Sequence, residues 1–365
     1  MKEHRVSGQR WLSAFIAAQL FLSQYAMANP ETFRLGDETI KPGSRAQLSL
    51  DVPAGASDPA TLIPVTVIHG QAPGPVLLIV AGVHGYEFAS ILAAHTFSAE
   101  VEAARLSGTL LIVNVAHVSA FEDRTPYVNP YDRKNLNRSF PGDANGTQTE
   151  RIAWVLSKQL IARADFVIDA HSGDGAEWLE AFVGVYGGPL ATGFEQALAV
   201  GEAFAFPNVV RYRMESQEQI DRGRSLNRQA VAAGVPTVLV EIGQNGSREP
   251  SHVRALADGL HRTLSVLSMS SSSPETPPVT LRYFEGESSV PVKHSGVWSP
   301  TRTGGRPVTK GELLGTIQDY WGHTIEEVVA PVDGYALYGL AGPPIKRGES
   351  VMAITRPAER LEKPR

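Results

Sequence analysis

The sequence predicts an α/β domain followed by a small all-β domain. Between residues 61 and 268, apolar runs typical of buried strands alternate with stretches that have helical spacing of apolar residues. Residues 268–279 are rich in Ser and Pro, and beyond them short apolar runs are separated by Gly, Pro and Asp-Gly turns. Strands alternating with helices indicate a sheet with helices on both faces.

These patterns divide the chain into a first domain over residues 29–268, a linker over 269–279 and a C-terminal β domain over 280–365. The C-terminal domain resembles the barrel-sandwich fold of lipoyl and biotinyl carriers. Its turn, however, is Asp333-Gly334 and holds no attachment lysine. We therefore expect it to act as a wall or lid of an active site, with Tyr335 or Tyr338 as contributors, rather than as a carrier.

The elements of the first domain follow in order. The predicted strands are 75–80, 108–115, 165–169 and 236–241, and the predicted helices are 88–106, 149–162 and 224–233. Polar residues follow several of these strands at their carboxyl ends. Open α/β sheets place their functional sites at that edge.

Charge and composition narrow the classes of partner. The net charge of −5 and the absence of any basic run give no sign of a nucleic-acid partner. An anionic small substrate would need a local cationic pocket. The chain has no cysteine, so it forms no disulfide, and a metal ion cannot be bound by thiolates.

The first residues form a separate segment. A basic head precedes an apolar run at 11–22, and Ala26-Met27-Ala28 places small residues where a signal peptidase reads them. We predict a signal peptide over residues 1–28, cleaved after Ala28, and a periplasmic or secreted bacterial protein with no stable membrane anchor after cleavage. A retained anchor is the alternative, although the apolar run is short for a membrane span.

Two stretches of the first domain predict a metal site. Residues 82–87 read G-V-H-G-Y-E and supply His84 and Glu87, and residues 169–173 read D-A-H-S-G and supply His171. Two His and one Glu leave a fourth position for water, which is typical of a hydrolytic Zn²⁺ site and not of a structural one. We expect one Zn²⁺ per chain. The alternatives are a solvated His-x-x-Glu pair on a helix and a hydrogen-bonded core histidine.

Glu241 ends a strand that is otherwise apolar. We interpret it as the general base, which activates a water molecule and later protonates the leaving nitrogen. Burial would raise its pKa into a useful range. The alternative is a structural acid that pairs with an arginine or caps a backbone turn.

A polar loop at 135–142 reads N-L-N-R-S-F-P-G and has neither helical nor strand periodicity. Arg138 can bind a substrate carboxylate through its planar guanidinium, and Asn137 can add a hydrogen bond. A simply solvated arginine is the alternative.

These motifs together resemble the succinylglutamate desuccinylase/aspartoacylase family, a branch of the zinc carboxypeptidase clan. The motifs are G-x-H-G-x-E at 82–87, N-L-N-R-x-F-P-G at 135–142, D-x-H-S-G at 169–173 and E-I-G at 241–243. The resemblance runs from about residue 75 to the end of the chain, including an A-P-V-x-G segment in the β domain. It implies a zinc-carboxypeptidase-like mixed sheet with a small C-terminal β domain.

The resemblance also implies roles for individual residues. Zinc would be bound by His84, Glu87 and His171, and the reaction would be hydrolysis of an amide between an acyl group and an amino acid. The remaining implied roles are substrate-carboxylate binding by Asn137 and Arg138, and base catalysis by Glu241.

The sequence departs from the family at one position. Members commonly carry T-R-Y before the N-L-N-R loop, and that arginine polarises the scissile carbonyl. Here residues 124–127 read R-T-P-Y, so Pro126 stands where the arginine is expected. Arg124 and Arg133 are the two candidate replacements. Loss of one oxyanion donor typically costs about 100-fold or more in rate.

The expected function is zinc-dependent hydrolysis of N-acyl amino acids or related small amides that carry a carboxylate. One alternative is a periplasmic zinc carboxypeptidase that trims peptides, including cell-wall peptides. Another, from a different class, is a zinc-containing binding protein with little turnover, which only Pro126 favours.

Overall fold

The protein is described by a computed structural model covering residues 31–301 and 304–361. The predicted signal peptide over residues 1–28 lies outside the described residues, as does its cleavage site. Within the described ranges, no helix combines the length and the apolar character needed to span a membrane.

Five strands come first, strands and helices are then interspersed as far as α7, and only strands follow α7. The strands are β1 (Phe33–Leu35), β2 (Glu38–Ile40), β3 (Ser44–Val52), β4 (Thr61–His69), β5 (Ala72–Ala81), β6 (Ser107–Val113), β7 (Phe166–His171), β8 (Glu177–Leu179), β9 (Phe182–Gly187), β10 (Asn208–Arg213), β11 (Thr237–Glu241), β12 (Arg282–Pro291), β13 (Gly296–Pro300), β14 (Arg306–Val308), β15 (Leu313–Gln318), β16 (Thr324–Val329), β17 (Gly334–Leu340), β18 (Pro344–Ile345) and β19 (Ser350–Ala358). The α-helices are α1 (Phe88–Glu100), α2 (Val118–Glu122), α3 (Gln148–Val155), α4 (Phe194–Ala203), α5 (Gln217–Gly223), α6 (Leu226–Ala232) and α7 (Pro250–Val266).

One large mixed sheet organises the described residues. Its strand order is β14-β17-β19-β12-β10-β9-β11-β7-β5-β6-β4-β3, with β8 paired to β17. Strands β11, β7, β5 and β6 run parallel to one another, whereas β9 is antiparallel to β11 and β4 is antiparallel to β6. The predicted α/β class with a mixed sheet is confirmed.

The central strands are apolar on both faces because helices cover both. In β5, Leu77 and Ile79 pack into the core with α1, α4 and α7, whereas Leu78 and Val80 pack into the opposite core with α3 and α6. All four side chains are fully buried. Unbroken apolar runs are therefore the pattern expected of central parallel strands.

The C-terminal region is rich in strands, as predicted, and it continues the main sheet. Strand β12 pairs in parallel with β10, and β19 and β17 follow it in the same sheet. A second sheet, ordered β16-β15-β13-β18, encloses a separate apolar core that includes Trp298 and Leu314. Residues 270–281, which overlap the predicted linker at 269–279, contain no helix or strand. The division into domains at 269–279 stays a prediction.

The predicted helix over 88–106 was too long. Helix α1 ends at Glu100, because Val101 adopts an extended conformation, and a separate 3₁₀ turn spans Ala103–Arg105. The Arg45 side chain donates a hydrogen bond of 3.1 Å to the Val101 carbonyl, which would otherwise lack a partner at the helix end. Apolar spacing continues past this break, and the sequence pattern therefore does not reveal it.

Candidate metal centre and active-site cavity

The first metal-binding motif forms the tight connection between β5 and α1. Gly82 has a φ of +68°, in the left-handed region that favours glycine. A Cβ atom on Gly85 would lie 2.2 Å from the backbone of Ala120, so only glycine fits against α2. These two glycines let the chain turn sharply after β5, with His84 and Glu87 on the turn and Glu87 at the N-cap position of α1.

The second and third motifs end neighbouring parallel strands. His171 is the last residue of β7 and Glu241 is the last residue of β11, and the two lie directly opposite each other in the β7–β11 register. Strand β5 pairs with β7 on its other side. All the predicted metal and base residues therefore meet at the carboxyl edge of three adjacent strands.

His84, Glu87 and His171 form one buried cluster. The Nδ1 atom of His84 lies 2.6 Å from Oε1 of Glu87, and Nδ1 of His171 lies 2.8 Å from Oε2. One ligand atom from each of the three residues falls within 4.8 Å of the others. A single cation can contact all three at this spacing.

Side chains outside the cluster orient the two imidazoles. The Nε2 atom of His171 lies 2.9 Å from Oδ1 of Asp169, and Nε2 of His84 lies 3.2 Å from Oδ1 of Asn135. Asn227 donates a hydrogen bond of 2.7 Å to the other Asp169 oxygen. Oxygen partners at both Nε2 atoms favour the tautomer that leaves Nδ1 free to bind a metal.

Electrostatics support a cation in this cluster. Burial alone would raise the pKa of Glu87, but the charges of His171 and His84 lower it to about 2. Burial alone would lower the pKa of His171, but Asp169 and Glu87 raise it well above its usual value. Both shifts express the attraction between the buried carboxylates and positive charge at the imidazoles, and a metal ion bound by the three residues would supply such a charge. The donor set of two imidazoles and one carboxylate fits Zn²⁺.

Glu241 faces the cavity beside the cluster. Burial raises the pKa of Glu241 well above its ordinary value; nearby His171 opposes this shift and Glu87 adds to it. A buried carboxyl group with a raised pKa beside a candidate metal site is a candidate for proton transfer.

The cluster lines a cavity of about 390 Å³. Within the described residues, its lining combines the metal cluster with aromatic and charged side chains from several elements. The lining residues are His84, Glu87, Tyr127, Asn135, Asn137, Arg138, His171, Glu177, Leu179, Phe182, Tyr186, Tyr212, Ser225, Asn227, Arg228, Leu239, Glu241, Glu287 and Tyr338. A cavity of this size suits a small ligand.

The predicted substrate-binding residues lie on this lining. Asn137 and Arg138 occupy a 3₁₀ turn that begins after Asn135, whose side chain accepts a hydrogen bond of 2.7 Å from the Asn137 N–H. Oδ1 of Asn137 accepts a hydrogen bond of 2.9 Å from the Leu226 N–H at the start of α6. The loop is therefore fastened to α6, and it holds both side chains on the cavity wall.

The two candidate replacements for the missing arginine lie elsewhere. Arg124 and Arg133 are exposed and are not among the cavity-lining residues of the described chain. Tyr127, immediately after Pro126, does line the cavity. Its ring contacts His84 edge-on with centroids 5.8 Å apart, and its hydroxyl lies 3.5 Å from Oε1 of Glu177.

Sequence reasoning missed several lining residues. Glu177 lies on β8, and burial together with Asp174 and Glu87 raises its pKa to about 8. Arg228 belongs to α6 and Glu287 to β12, and neither has a local motif that marks it. Tyr338, one of the two tyrosines suggested from the C-terminal domain, does reach the cavity, whereas Tyr335 is not among the residues that line it.

The catalytic-domain model of the succinylglutamate desuccinylase/aspartoacylase family matches residues 73–267. The chain belongs to this family. The matched region contains the three cluster residues, the 135–142 loop and Glu241, and the family resemblance predicted from these motifs is confirmed.

Individual relatives agree with this assignment. The chain is 29% identical over 280 residues to N-alpha-acetyl-L-2,4-diaminobutyric acid deacetylase of Halomonas elongata, covering 75% of this chain and 78% of the relative. It is similar in fold to a product-bound ectoine utilization protein EutE (DoeB) of Ruegeria pomeroyi, with a TM-score of 0.77, 24% identity and coverage of 90% and 100%. A succinylglutamate desuccinylase/aspartoacylase of Rhodobacter sphaeroides gives a TM-score of 0.75 at 21% identity, with the same coverage.

Proposed function

We propose that this protein is a zinc-dependent deacylase that hydrolyses the amide bond of N-acyl amino acids. The observation that carries the proposal is the shared cavity: the His84, Glu87 and His171 cluster, Glu241 and the Asn137–Arg138 loop all line it. The 29% identical relative is named as a deacetylase of an acylated amino acid, which supports the same reaction class.

The cluster residues would hold the metal. When bound there, Zn²⁺ supplies Lewis-acid polarisation of a carbonyl oxygen and lowers the pKa of a water molecule. Glu241 then takes a proton from the attacking water and delivers it to the amide nitrogen. The carbon–nitrogen bond breaks, a carbon–oxygen bond forms, and the products are a carboxylic acid and a free amino acid.

The Asn137–Arg138 loop binds the α-carboxylate of the substrate in this proposal. The Arg138 guanidinium forms no ion pair among the described residues and is exposed to the cavity. A planar guanidinium suits bidentate binding of a carboxylate. Contacts to this group would position the amide at the metal cluster.

Tyr127 takes the place of the family's carbonyl-polarising arginine in this proposal. A tyrosine hydroxyl donates a hydrogen bond at neutral pH, and Tyr127 contacts His84 at the metal end of the cavity. We expect Tyr127→Phe to lower kcat/KM by about 100-fold. Arg124→Ala and Arg133→Ala are the controls, and a comparable loss in either would assign the role to that arginine.

The experiment for the proposed function measures amine release from a panel of N-acyl amino acids and short peptides. The purified protein is analysed for bound metals, stripped with a chelator and restored with Zn²⁺. Turnover of acyl amino acids that disappears on stripping and returns with Zn²⁺ is the expected result. Cleavage of peptides alone would instead indicate a carboxypeptidase, and stoichiometric zinc without any turnover would indicate a binding protein.

We also propose that the protein is exported and acts in the periplasm or outside the cell. The support is the basic and apolar pattern of residues 1–28. Cell fractionation and mass spectrometry of the purified protein test this, with Asn29 expected as the first residue. An intact N-terminus on a cytosolic protein would contradict it.

A further inference from the structure

Glu177 lines the same cavity as the metal cluster but has no part in the reaction proposed above. Its Oε1 atom lies 3.5 Å from the hydroxyl of Tyr127. The Tyr127 ring contacts His84 edge-on, with ring centroids 5.8 Å apart. Tyr127 therefore links the carboxyl group of Glu177 to a residue of the metal cluster.

Strand β8 determines which way the Glu177 side chain points. Successive side chains of a strand lie on opposite faces. Glu177 and Leu179 line the cavity. Trp178, between them, packs on the other face, where a Cβ atom on Gly304 or Gly305 would lie 2.7 Å from its ring. The alternation therefore keeps the carboxyl group of Glu177 on the cavity side.

The backbone of Glu177 is held by three neighbouring segments. Strand β8 pairs with β17, and Leu340 lies opposite Glu177 in that register. The Glu177 N–H donates a hydrogen bond of 3.3 Å to the Asp174 carbonyl, and the Asn245 N–H donates one of 2.8 Å to the Glu177 carbonyl. Glu177 is therefore a well-supported residue of the cavity wall.

Tyr127 has fewer local supports. Residues 125–127 contain no helix or strand, and Tyr127 is 37% exposed. The hydroxyl of Thr125 donates a hydrogen bond of 2.5 Å to the Val128 carbonyl, which holds the backbone of the loop but not the tyrosine ring. A functional side chain keeps one position only when packing and hydrogen bonds outside its own backbone fix its rotamer. The contacts with His84 and Glu177 supply this support.

The contact between Tyr127 and Glu177 leaves the hydroxyl hydrogen available. Its length of 3.5 Å exceeds the about 2.7 Å that is typical of a strong O–H···O hydrogen bond. A hydroxyl hydrogen also rotates about the C–O bond to suit its acceptor. Tyr127 can therefore donate to an oxygen atom that a ligand brings closer, while Glu177 keeps the ring in place.

We propose that Glu177 is a positioning residue that holds the Tyr127 hydroxyl beside the metal cluster. This inference rests on the proposed function, in which Tyr127 donates a hydrogen bond to the substrate carbonyl oxygen, and it names the residue that keeps this donor in place. Glu177 itself touches no reacting atom in this scheme. Its effect on the reaction passes through Tyr127.

A double-mutant cycle tests this dependence. We expect Glu177→Ala to lower kcat for N-acyl amino acids by about 10- to 100-fold, with KM and zinc content little changed, because a displaced donor costs transition-state stabilisation. In the Tyr127→Phe background the same substitution should change kcat by no more than about twofold, since the two residues act as a unit. Glu177→Gln keeps an oxygen acceptor and should recover most of the lost kcat.

Glu180→Gln is the matched control. Glu180 follows three positions later, pairs with Arg282 and is not among the cavity-lining residues of the described chain, so kcat should stay within about twofold of wild type. A kcat loss from Glu177→Ala that is equally large in the Tyr127→Phe background would overturn the inference. A loss in Glu177→Gln as large as that in Glu177→Ala would also overturn it, because the charge rather than the acceptor would then matter.

A structural measurement separates this inference from the proposed function. Crystal structures of the zinc-loaded wild type and Glu177→Ala require no turnover. A Tyr127 ring that leaves its contact with His84 in the variant supports the inference even if no amide is cleaved, in which case only the deacylase proposal fails. A Tyr127 ring in the same position in both proteins overturns the inference even if the enzyme is active.

Discussion

Two groups of cavity-lining residues, named the metal end and the opposite end, are built differently. At the metal end, His84, Glu87 and His171 contact one another, and Asp169 and Asn135 lie at the outer nitrogens of the imidazoles. At the opposite end, Arg138, Arg228 and Glu287 line the wall without ion pairs among the described residues. The metal end is therefore held together by contacts within the protein, whereas the charges of the opposite end have no ion-pair partner among the described residues.

In the proposed function, the metal end carries out the hydrolysis and the opposite end selects the substrate. A metal site must hold its ligands in one geometry, and the candidate cluster lies at the ends of adjacent parallel strands. At the opposite end, Arg138, Arg228 and Glu287 come from a loop, a helix and a strand that are far apart in sequence. Substitutions at the metal end should change kcat and metal affinity, and those at the opposite end should change substrate preference.

The largest expected effect is that of Glu241→Gln. Removal of the proton-transferring carboxylate should lower kcat by about 10²- to 10⁴-fold while KM and zinc content change little. Steady-state kinetics on the zinc-loaded protein, with metal analysis of the same preparation, measure this. A kcat that stays near the wild-type value would remove Glu241 from the mechanism.

Asp169→Asn tests the preorganisation of the metal end without touching the cavity lining. Loss of the carboxylate 2.9 Å from Nε2 of His171 should weaken zinc affinity by about 10- to 100-fold. Competition with a chromophoric chelator measures the change. Glu287→Gln, at the opposite end, is the matched control and should retain wild-type affinity for zinc. Equal affinities in all three proteins would contradict the orienting role of Asp169.

Arg138→Lys tests the opposite end. The lysine keeps the charge but loses the bidentate geometry, so kcat/KM for N-acyl amino acids should fall by about tenfold or more. The same substrates with a carboxamide in place of the carboxylate should show a much smaller difference between variant and wild type. A loss of the same size for both substrate forms would mean that Arg138 does not bind the carboxylate.

The smallest expected effect concerns Asp132, which lies just before the 135–142 loop and accepts hydrogen bonds from Thr149 at the start of α3. Burial would raise the pKa of Asp132, but hydrogen bonds from the Lys134 N–H, Thr147 and Thr149 outweigh it and lower the pKa below its ordinary 3.8. Because the folded-state value is the lower one, this stabilisation is complete above about pH 4 and is lost as the pH falls through the folded pKa.

Denaturant unfolding between pH 5 and pH 2.5 measures this contribution. Asp132→Asn should unfold with a shallower dependence on pH than wild type, because the variant has no carboxyl group to titrate at this position. Identical pH profiles for the two proteins would contradict the contribution of Asp132. The metal end should be unaffected near neutral pH, where zinc content serves as the control.

Much of the metal end was predictable because it is encoded locally. His84 and Glu87 lie three residues apart in a turn whose glycines are visible in the sequence, and His171 and Glu241 end apolar runs. Strands of one parallel sheet end at a common edge, so residues at several strand ends meet even when they are far apart in sequence. The family resemblance then supplied roles for Asn137 and Arg138.

The opposite end was not predictable in the same way. Glu287 reaches the cavity because β12 joins the main sheet through β10 and carries a bulge at Gly286, and neither feature has a local signature. The spacing in the sequence also did not decide whether Arg124 or Arg133 replaces the arginine that the family carries at the position of Pro126. The fold directs Tyr127 to the cavity, whereas both arginines lie outside its lining.

The sequence by itself therefore determined the fold class and the family, and it predicted that His84, Glu87 and His171 lie together. Each depends on periodicity or on residues close together in a motif, which short-range backbone geometry converts directly into structure. Only the tertiary structure decided which charged side chains line the cavity. That outcome depends on how β12, α6 and the 135–142 loop pack around one cavity, and contacts between residues so distant in sequence follow from the packing of the whole chain.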